Sequence, residues 1–149
     1  MSIKRPLLLA GLLLLVLGGG FLIGFATRPG IWYAALNKPS FTPPGWVFPL
    51  AWAVLYVLIA IAGYRAILNE QRRTVQVWCF QLALNFLWPI VFFGAQNIAL
   101  GFIVIMLLLA AILTFMSMAR DGWARLLFVP YAAWVVFAAV LNGAIFKTN

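Results

Sequence analysis

Trp78, Gln81, Asn85, Trp88 and Phe92 recur at intervals of three and four residues. On a helix that spacing puts three aromatic rings and two amides on one face. Trp52 and Tyr56 stand one turn apart in another apolar run, with Trp46 and Phe48 just before them. Tyr131, Trp134, Ala138 and Asn142 share a face in a third. Rings and amides in this pattern can stack on a flat molecule and hydrogen-bond to it. Ala138 beside Trp134 leaves room for such a molecule. They are poorly equipped for proton chemistry. The sequence has no histidine, and its only carboxylate side chains are Glu70 and Asp121. No Ser-His-Asp or Cys-His arrangement can be assembled. No carboxylate pair for glycoside cleavage and no zinc ligand set are present. No acid lies within an apolar run to relay protons or couple a gradient. One cysteine, Cys79, excludes an internal disulfide; beside Trp78 it reads as a small packing residue.

Polar side chains within lipid also serve to bind helices together, so Gln81 and Asn85 have that second reading. Trp and Tyr likewise gather at membrane surfaces. That use suits Trp123, Trp78, Trp32 and Tyr33, whereas Trp52, Trp88 and Trp134 lie some two turns inside their runs.

The elements that position these residues are transmembrane helices. The chain has 149 residues, 66% hydrophobic and 8% charged, with mean hydropathy +1.10. A soluble domain carries about 25% charged residues, so this chain cannot cover a water-facing surface. Five stretches reach the roughly 20 apolar residues needed to cross a bilayer: about 6–26, 43–67, 75–94, 98–118 and 123–146. The expected fold is all-α, a single-domain integral membrane bundle of five helices. Lys4 and Arg5 before a leucine run resemble a secretion signal, but the run continues through GGGFLIGFA with no cleavage site, so a retained helix is expected.

Ten Lys and Arg against two acids give +8. The charges fall between apolar runs instead of forming a patch, which argues for membrane orientation and against nucleic acid. Lys4, Arg5, Arg65, Arg72, Arg73, Arg120 and Arg125 lie on one side, and Arg28, Lys38 and Lys147 on the other. That asymmetry predicts the N-terminus inside and the C-terminus outside.

Residues 95–97 are too short for anything but a tight hairpin between the third and fourth spans. Residues 27–42 form the one long loop, rich in proline and aromatics, and such loops are commonly functional. Thr42 is placed to cap the second span with Pro43 at its first position, and Pro49 to kink it. Antiparallel threading brings Trp52, Trp88 and this loop to one depth, so the loop reads as lid and wall of an aromatic cavity. Gly20 and Gly24 have GxxxG spacing, read as close helix packing. The fourth span has no Trp or Tyr and is expected to face lipid or a second subunit.

Three stretches in order, WYAALNKPSFTPPGWVFPLAW, QLALNFLWPIVFFG and LLFVPYAAWVVFAAVLN, closely resemble the TspO/MBR family. That family comprises the tryptophan-rich sensory proteins and the mitochondrial translocator protein. The resemblance covers nearly the whole chain. It implies a five-helix bundle, often a homodimer in lipid. It further implies binding of tetrapyrroles such as protoporphyrin IX and haem, and of flat drug-like molecules, with a sensory, regulatory or transport role. Carried over position by position, the ligand site falls on Tyr33, Pro43, Phe48, Trp52, Tyr56, Phe92, Trp134 and Ala138, with Asn85 and Trp88 matching the third-span motif. Porphyrin is then a ligand and no cofactor is required. Without histidine, haem iron lacks its usual axial ligand, so little preference for haem over the metal-free ring is expected. Arg28 or Lys38 would meet the propionates.

Two departures bear on this. Phe41 stands where many members have Trp. Gly143 stands where the sterol-recognition pattern of animal members has Tyr, so no strong sterol preference is expected. Two alternatives stay open: an enzyme breaking down porphyrin in light through Trp52 and Trp134, and a regulatory membrane partner whose cavity holds lipid.

Overall fold

The computed structural model describes residues 4–69 and 71–149; Glu70 lies outside the described residues. Five long helices run as α1 (Lys4–Ala26), α3 (Val47–Leu68), α4 (Arg72–Gly94), α5 (Ile98–Met118) and α6 (Gly122–Thr148). A short helix, α2 (Ile31–Ala35), sits in the loop after α1. Each long helix is apolar enough to cross a membrane. Lipid offers the backbone no hydrogen bonds, so the spanning segments satisfy their own as helices. In space the helices follow the order α1, α3, α6, α5, α4, with α4 closing back onto α1 and α3.

The second span starts later than expected, at Val47 instead of 43. Pro44 drives Pro43 out of helical conformation, and Gly45 follows. Thr42 does not cap the helix: its hydroxyl donates to the Pro39 carbonyl at 2.7 Å and closes a turn. Pro49 therefore falls in the first turn, where a missing N–H leaves no bond unmade. The other boundaries coincide with expectation at 26, 94, 98 and 118 and elsewhere widen by one to three residues. Asp121 caps α6, accepting from the Trp123 N–H at 3.1 Å, and Asn97 caps α5, accepting from the Leu100 N–H at 2.9 Å. The residue between α4 and α5 that turns the hairpin is Gln96, in left-handed conformation at φ 54°.

Two readings of individual residues change with the packing. Trp78 is no surface belt residue. Its ring is 3% exposed, lies over Gly63, and donates from Nε1 to the Ile59 carbonyl of α3 at 2.9 Å. Cys79, expected to pack, is exposed on the outside of the bundle. α5 does not face outward as a whole: Gly101, Val104, Ile105, Leu108, Ile112 and Phe115 are buried between α4 and α6. Of the GxxxG pair, Gly20 is covered by the Tyr56 ring while Gly24 meets nothing.

Opposite the long loop, the Arg65 guanidinium grips Asp121 with two bonds, Nε to Oδ2 at 2.5 Å and Nη2 to Oδ1 at 3.1 Å. This joins the end of α3 to the start of α6. The Arg65 hydrogen bond, with help from the Trp123 N–H, holds the Asp121 carboxyl below its ordinary value despite partial burial. A depressed carboxyl stabilises the fold fully above its unfolded-state value, near 3.9. That contribution is lost as pH falls through the lower folded value. Melting in detergent is therefore expected to fall below about pH 4 in the wild type, more than in Asp121→Asn; equal acid sensitivity in both would remove the pair from the account.

Candidate functional site

Beneath the long loop a small second core forms, separate from the main one. Phe92, Leu141 and Ile145 are its buried centre, with Trp32, Tyr33, Phe48, Trp88 and Phe93 packed around them. Three elements and the loop supply it. Pro89, without an N–H, ends the α-helical part of α4. The chain continues as a π-turn, Ile90–Gly94, closed by the Ala95 N–H to the Ile90 carbonyl at 2.8 Å. That wider turn sets Phe92 and Phe93 edge to face, centroids 4.8 Å apart, while Trp88 stacks on Phe92 at 5.3 Å. The loop presses Tyr33 onto Phe93 at 5.3 Å and Trp32 onto Phe92 at 5.8 Å.

Within this core lies a cavity of about 20 Å³. The loop contributes Tyr33, α3 contributes Phe48, and α4 contributes Trp88, Phe92 and Phe93. Ala138, Leu141, Asn142 and Ile145 complete it from α6. Asn142 fixes the geometry. Its Oδ1 accepts from Trp88 Nε1 and its Nδ2 donates to the Ile98 carbonyl, both at 3.2 Å. One buried amide thus ties three helices around the cavity and sets the face that Trp88 presents.

Five of the ten expected site residues line this cavity: Tyr33, Phe48, Trp88, Phe92 and Ala138. The other five lie elsewhere. Trp52 and Tyr56 stack on one another at 5.4 Å, deeper in the bundle. Tyr56 lies over Gly20, and Trp52 meets Tyr131 edge-on. Asn85 gives its Nδ2 to the Tyr131 hydroxyl at 2.7 Å, and that hydroxyl donates to Gln81 Oε1 at 2.7 Å. Gln81 and Asn85 therefore bind α4 to α6, as their second reading held. Trp134 packs against Phe48 at 5.9 Å and Phe137 at 5.4 Å; its indole N–H is buried without a partner among the described residues. Pro43 is half-buried in the loop.

Charge at the loop differs from expectation. Lys38 spends its ammonium on three carbonyls, Tyr33 at 2.7 Å and Ala34 and Leu36 at 3.1 Å, and lies over the Tyr33 ring at 4.9 Å. It closes the loop on itself and is not free for an anion. Arg28 and Lys147 remain exposed. Burial raises the Tyr33 hydroxyl above its ordinary value. Gly143 lies under Phe102, whose ring a Cβ would meet at 3.1 Å. It lines an apolar groove of about 320 Å³ between α5 and α6 with no hydrogen-bonding side chain.

A model of the TspO/MBR family matches residues 12–147. The chain is 43% identical over 143 residues to the tryptophan-rich protein TspO of Archaeoglobus fulgidus, covering 92% of this chain and 94% of that one. It is 40% identical over 129 residues to the tryptophan-rich sensory protein of Cereibacter sphaeroides, covering 85% and 82%. It is 34% identical over 143 residues to the human translocator protein, covering 89% and 81%.

Proposed function

This chain belongs to the TspO/MBR family, and from that premise we propose that it binds a tetrapyrrole, or a flat apolar molecule of that kind, in the cavity beneath its long loop. It is an integral, multi-pass membrane protein. The reading includes a receptor or translocator-like role, in line with the names of its relatives, a homodimer, and the N-terminus on the inner side by charge.

The observation that carries it is the Trp88–Phe92 stack facing Phe48, Ala138 and the loop. As it stands the cavity has room for about one water molecule, and a drug-sized ligand needs roughly 300–1,000 Å³. Binding therefore requires the rings to part. Each ring pair contributes about 0.5–1.5 kcal/mol beyond its burial, so separating two or three costs a few kcal/mol. A flat π-system inserted between them restores contacts of the same kind, whereas a saturated chain does not. Once the rings part, the Trp134 indole N–H, next to Phe48, would offer one hydrogen bond, and the exposed Arg28 and Lys147 would offer countercharges for carboxylates.

In darkness, protoporphyrin IX is expected to quench tryptophan fluorescence saturably, and haem to do so with comparable affinity, since the sequence has no histidine to hold the iron. A clear haem preference with a six-coordinate spectrum would overturn the second expectation. Arg28→Gln is expected to weaken protoporphyrin IX and leave an uncharged isoquinoline carboxamide unaffected; equal effects on both would count against a propionate partner there.

A second reading, light-driven breakdown of the porphyrin, draws support from Trp52, whose ring touches both Tyr56 and Tyr131. An indole that gave an electron to the light-excited porphyrin there would have two phenols in contact to share the charge left behind. Under light, Trp52→Phe/Trp134→Phe would then lose turnover while keeping dark binding; unchanged turnover would remove these indoles from the chemistry.

A further inference from the structure

Five arginines gather at the end of the bundle away from the long loop: Arg65, Arg72, Arg73, Arg120 and Arg125. Two of them hold the chain together. Arg65 grips Asp121, and Arg125 donates from Nε to the Ala119 carbonyl at 2.7 Å. The other three are exposed, and among the described residues none of their side chains has a hydrogen-bond or ion-pair partner. The two loops that carry them are braced against each other. Gln71 Oε1 accepts from the Arg120 N–H at 3.1 Å. This sets Arg120 beside the first turn of α4, where Arg72 and Arg73 stand. Three like charges held in one place repel, so an anion among them is favoured.

The face of α4 beyond these arginines changes in character with depth. Gln76 stands one turn on from Arg72 and Arg73, Phe80 one turn further, then Ala83 and Leu87, and all are exposed on the outside of the bundle. Spacings of three and four put them in one stripe, each step descending about 5–6 Å. The order is cation, amide, ring, small residue, leucine. Gln76 has no side-chain hydrogen bond among the described residues, although an amide facing lipid is costly without one. A phospholipid presents the matching order of phosphate, ester carbonyls and acyl chain. Close to Arg120 in the chain, Trp123 is 64% exposed, and such rings collect at the headgroup level.

We infer that this stripe is a site for an anionic phospholipid. Arg72, Arg73 and Arg120 take its phosphate, Gln76 donates to an ester carbonyl, and the acyl chain lies along Phe80, Ala83 and Leu87. The site is independent of the cavity beneath the long loop and of which side of the membrane this end faces. Guanidinium forks match the oxygens of a phosphate, and cationic clusters beside a membrane span favour anionic lipid. Nucleic acid or a soluble acidic protein would use the arginines alone. A lipid also uses an amide one turn within the span and an apolar track beyond it. A zwitterionic lipid fits the track, but its head brings a positive charge towards three others, so the arginines select against it.

The test uses full-length protein in nanodiscs with equal amounts of dioleoyl phosphatidylglycerol and dioleoyl phosphatidylcholine, released and weighed with its retained lipids by native mass spectrometry. The wild type is expected to retain phosphatidylglycerol over phosphatidylcholine by on the order of tenfold. Arg72→Gln/Arg73→Gln/Arg120→Gln changes only exposed side chains and is expected to bring the two lipids close to parity. Gln76→Leu is expected to lower the total of both lipids while leaving their ratio in place, because both carry the same ester carbonyls. Equal retention by the wild type, or a preference that survives loss of the three arginines, would overturn the site. An unchanged total in Gln76→Leu would leave only diffuse charge attraction and overturn it equally. Millimolar inorganic phosphate is expected to displace no lipid; displacement would make this a site for free phosphate and overturn the lipid reading. So would a second copy of the chain covering the stripe, seen as bismaleimide cross-linking through the exposed Cys79 that added phosphatidylglycerol does not diminish.

Discussion

Replacing Gly63 by alanine is expected to cost the bundle about 2–4 kcal/mol. A Cβ at that position would run into the Trp78 indole at Cε2, Cζ2 and Nε1. A flexible neighbour could swing away, but this one cannot. Trp78 is 3% exposed and pinned by its bond to the Ile59 carbonyl on the same helix as Gly63. Two costs arise together. Forcing a methyl into a filled space costs about 1–3 kcal/mol. Moving the indole leaves a buried N–H without a partner in surroundings where no water can replace it, about 1–3 kcal/mol more. Because one shift relieves part of both, the total falls below their sum. The expected readout is a clear drop in melting temperature in detergent. Trp78→Leu should be destabilising alone, yet Gly63→Ala added to it should cost little. Additive losses would mean that the two residues do not share the contact.

Tyr131→Phe is expected to cost about 1–3 kcal/mol, although it removes a single oxygen atom. That oxygen is the hinge of a buried network: it accepts from Asn85 and donates to Gln81. Gln81 Nε2 already has no partner among the described residues. Without the hydroxyl, the Gln81 carbonyl oxygen loses its donor and the Asn85 amide loses its acceptor, all within the apolar middle of the bundle. Interhelical hydrogen bonds in membranes often contribute less, around 0.6 kcal/mol, because the dissociated helices find other partners. Here two amides are orphaned at once, which favours the upper part of the range. The sign of a further change separates the explanations. If orphaned polar groups carry the loss, Gln81→Leu/Asn85→Leu added to Tyr131→Phe should regain stability. If the loss came from ring packing, the triple variant would be worse still.

The face of α4 was legible from spacing alone, because a helix in lipid has few ways to hide two amides. Trp88 and Phe92 fell where the spacing put them. Phe93 carried no signal in the spacing, since the π-turn after Pro89 shifts the register and brings the next ring round beside Phe92. Leu141 and Ile145 carried no signal: a leucine lining a cavity and one facing lipid look alike in a sequence this apolar. The late start of α3 was readable in principle, in the restriction Pro44 places on Pro43. Lys38 was misread because a lysine in a loop normally faces water, and nothing in the sequence marks three carbonyls folded around it. Trp52 and Tyr56 share a face as expected, but Trp52, expected at the depth of Trp88 and the loop, lies with Tyr56 deeper in the bundle. What put them there was Gly20, whose missing side chain lets the Tyr56 ring lie against α1.

The most direct measurement is a dark titration of protoporphyrin IX into the wild type and Ala138→Leu, followed by tryptophan quenching. Ala138 is 6% exposed and lines the cavity without making a hydrogen bond, so a larger side chain there competes with ligand for the space between the rings. The expected result is saturable quenching in the wild type, weakened about tenfold or more in the variant, as an overpacking cost of 1–3 kcal/mol implies. Overpacking the unliganded core lowers the variant's melting temperature as well, so both proteins are titrated at a temperature where both remain folded. Quenching that never saturates, or saturates alike in both proteins, would place the porphyrin in detergent or at another surface and contradict the site beneath the loop.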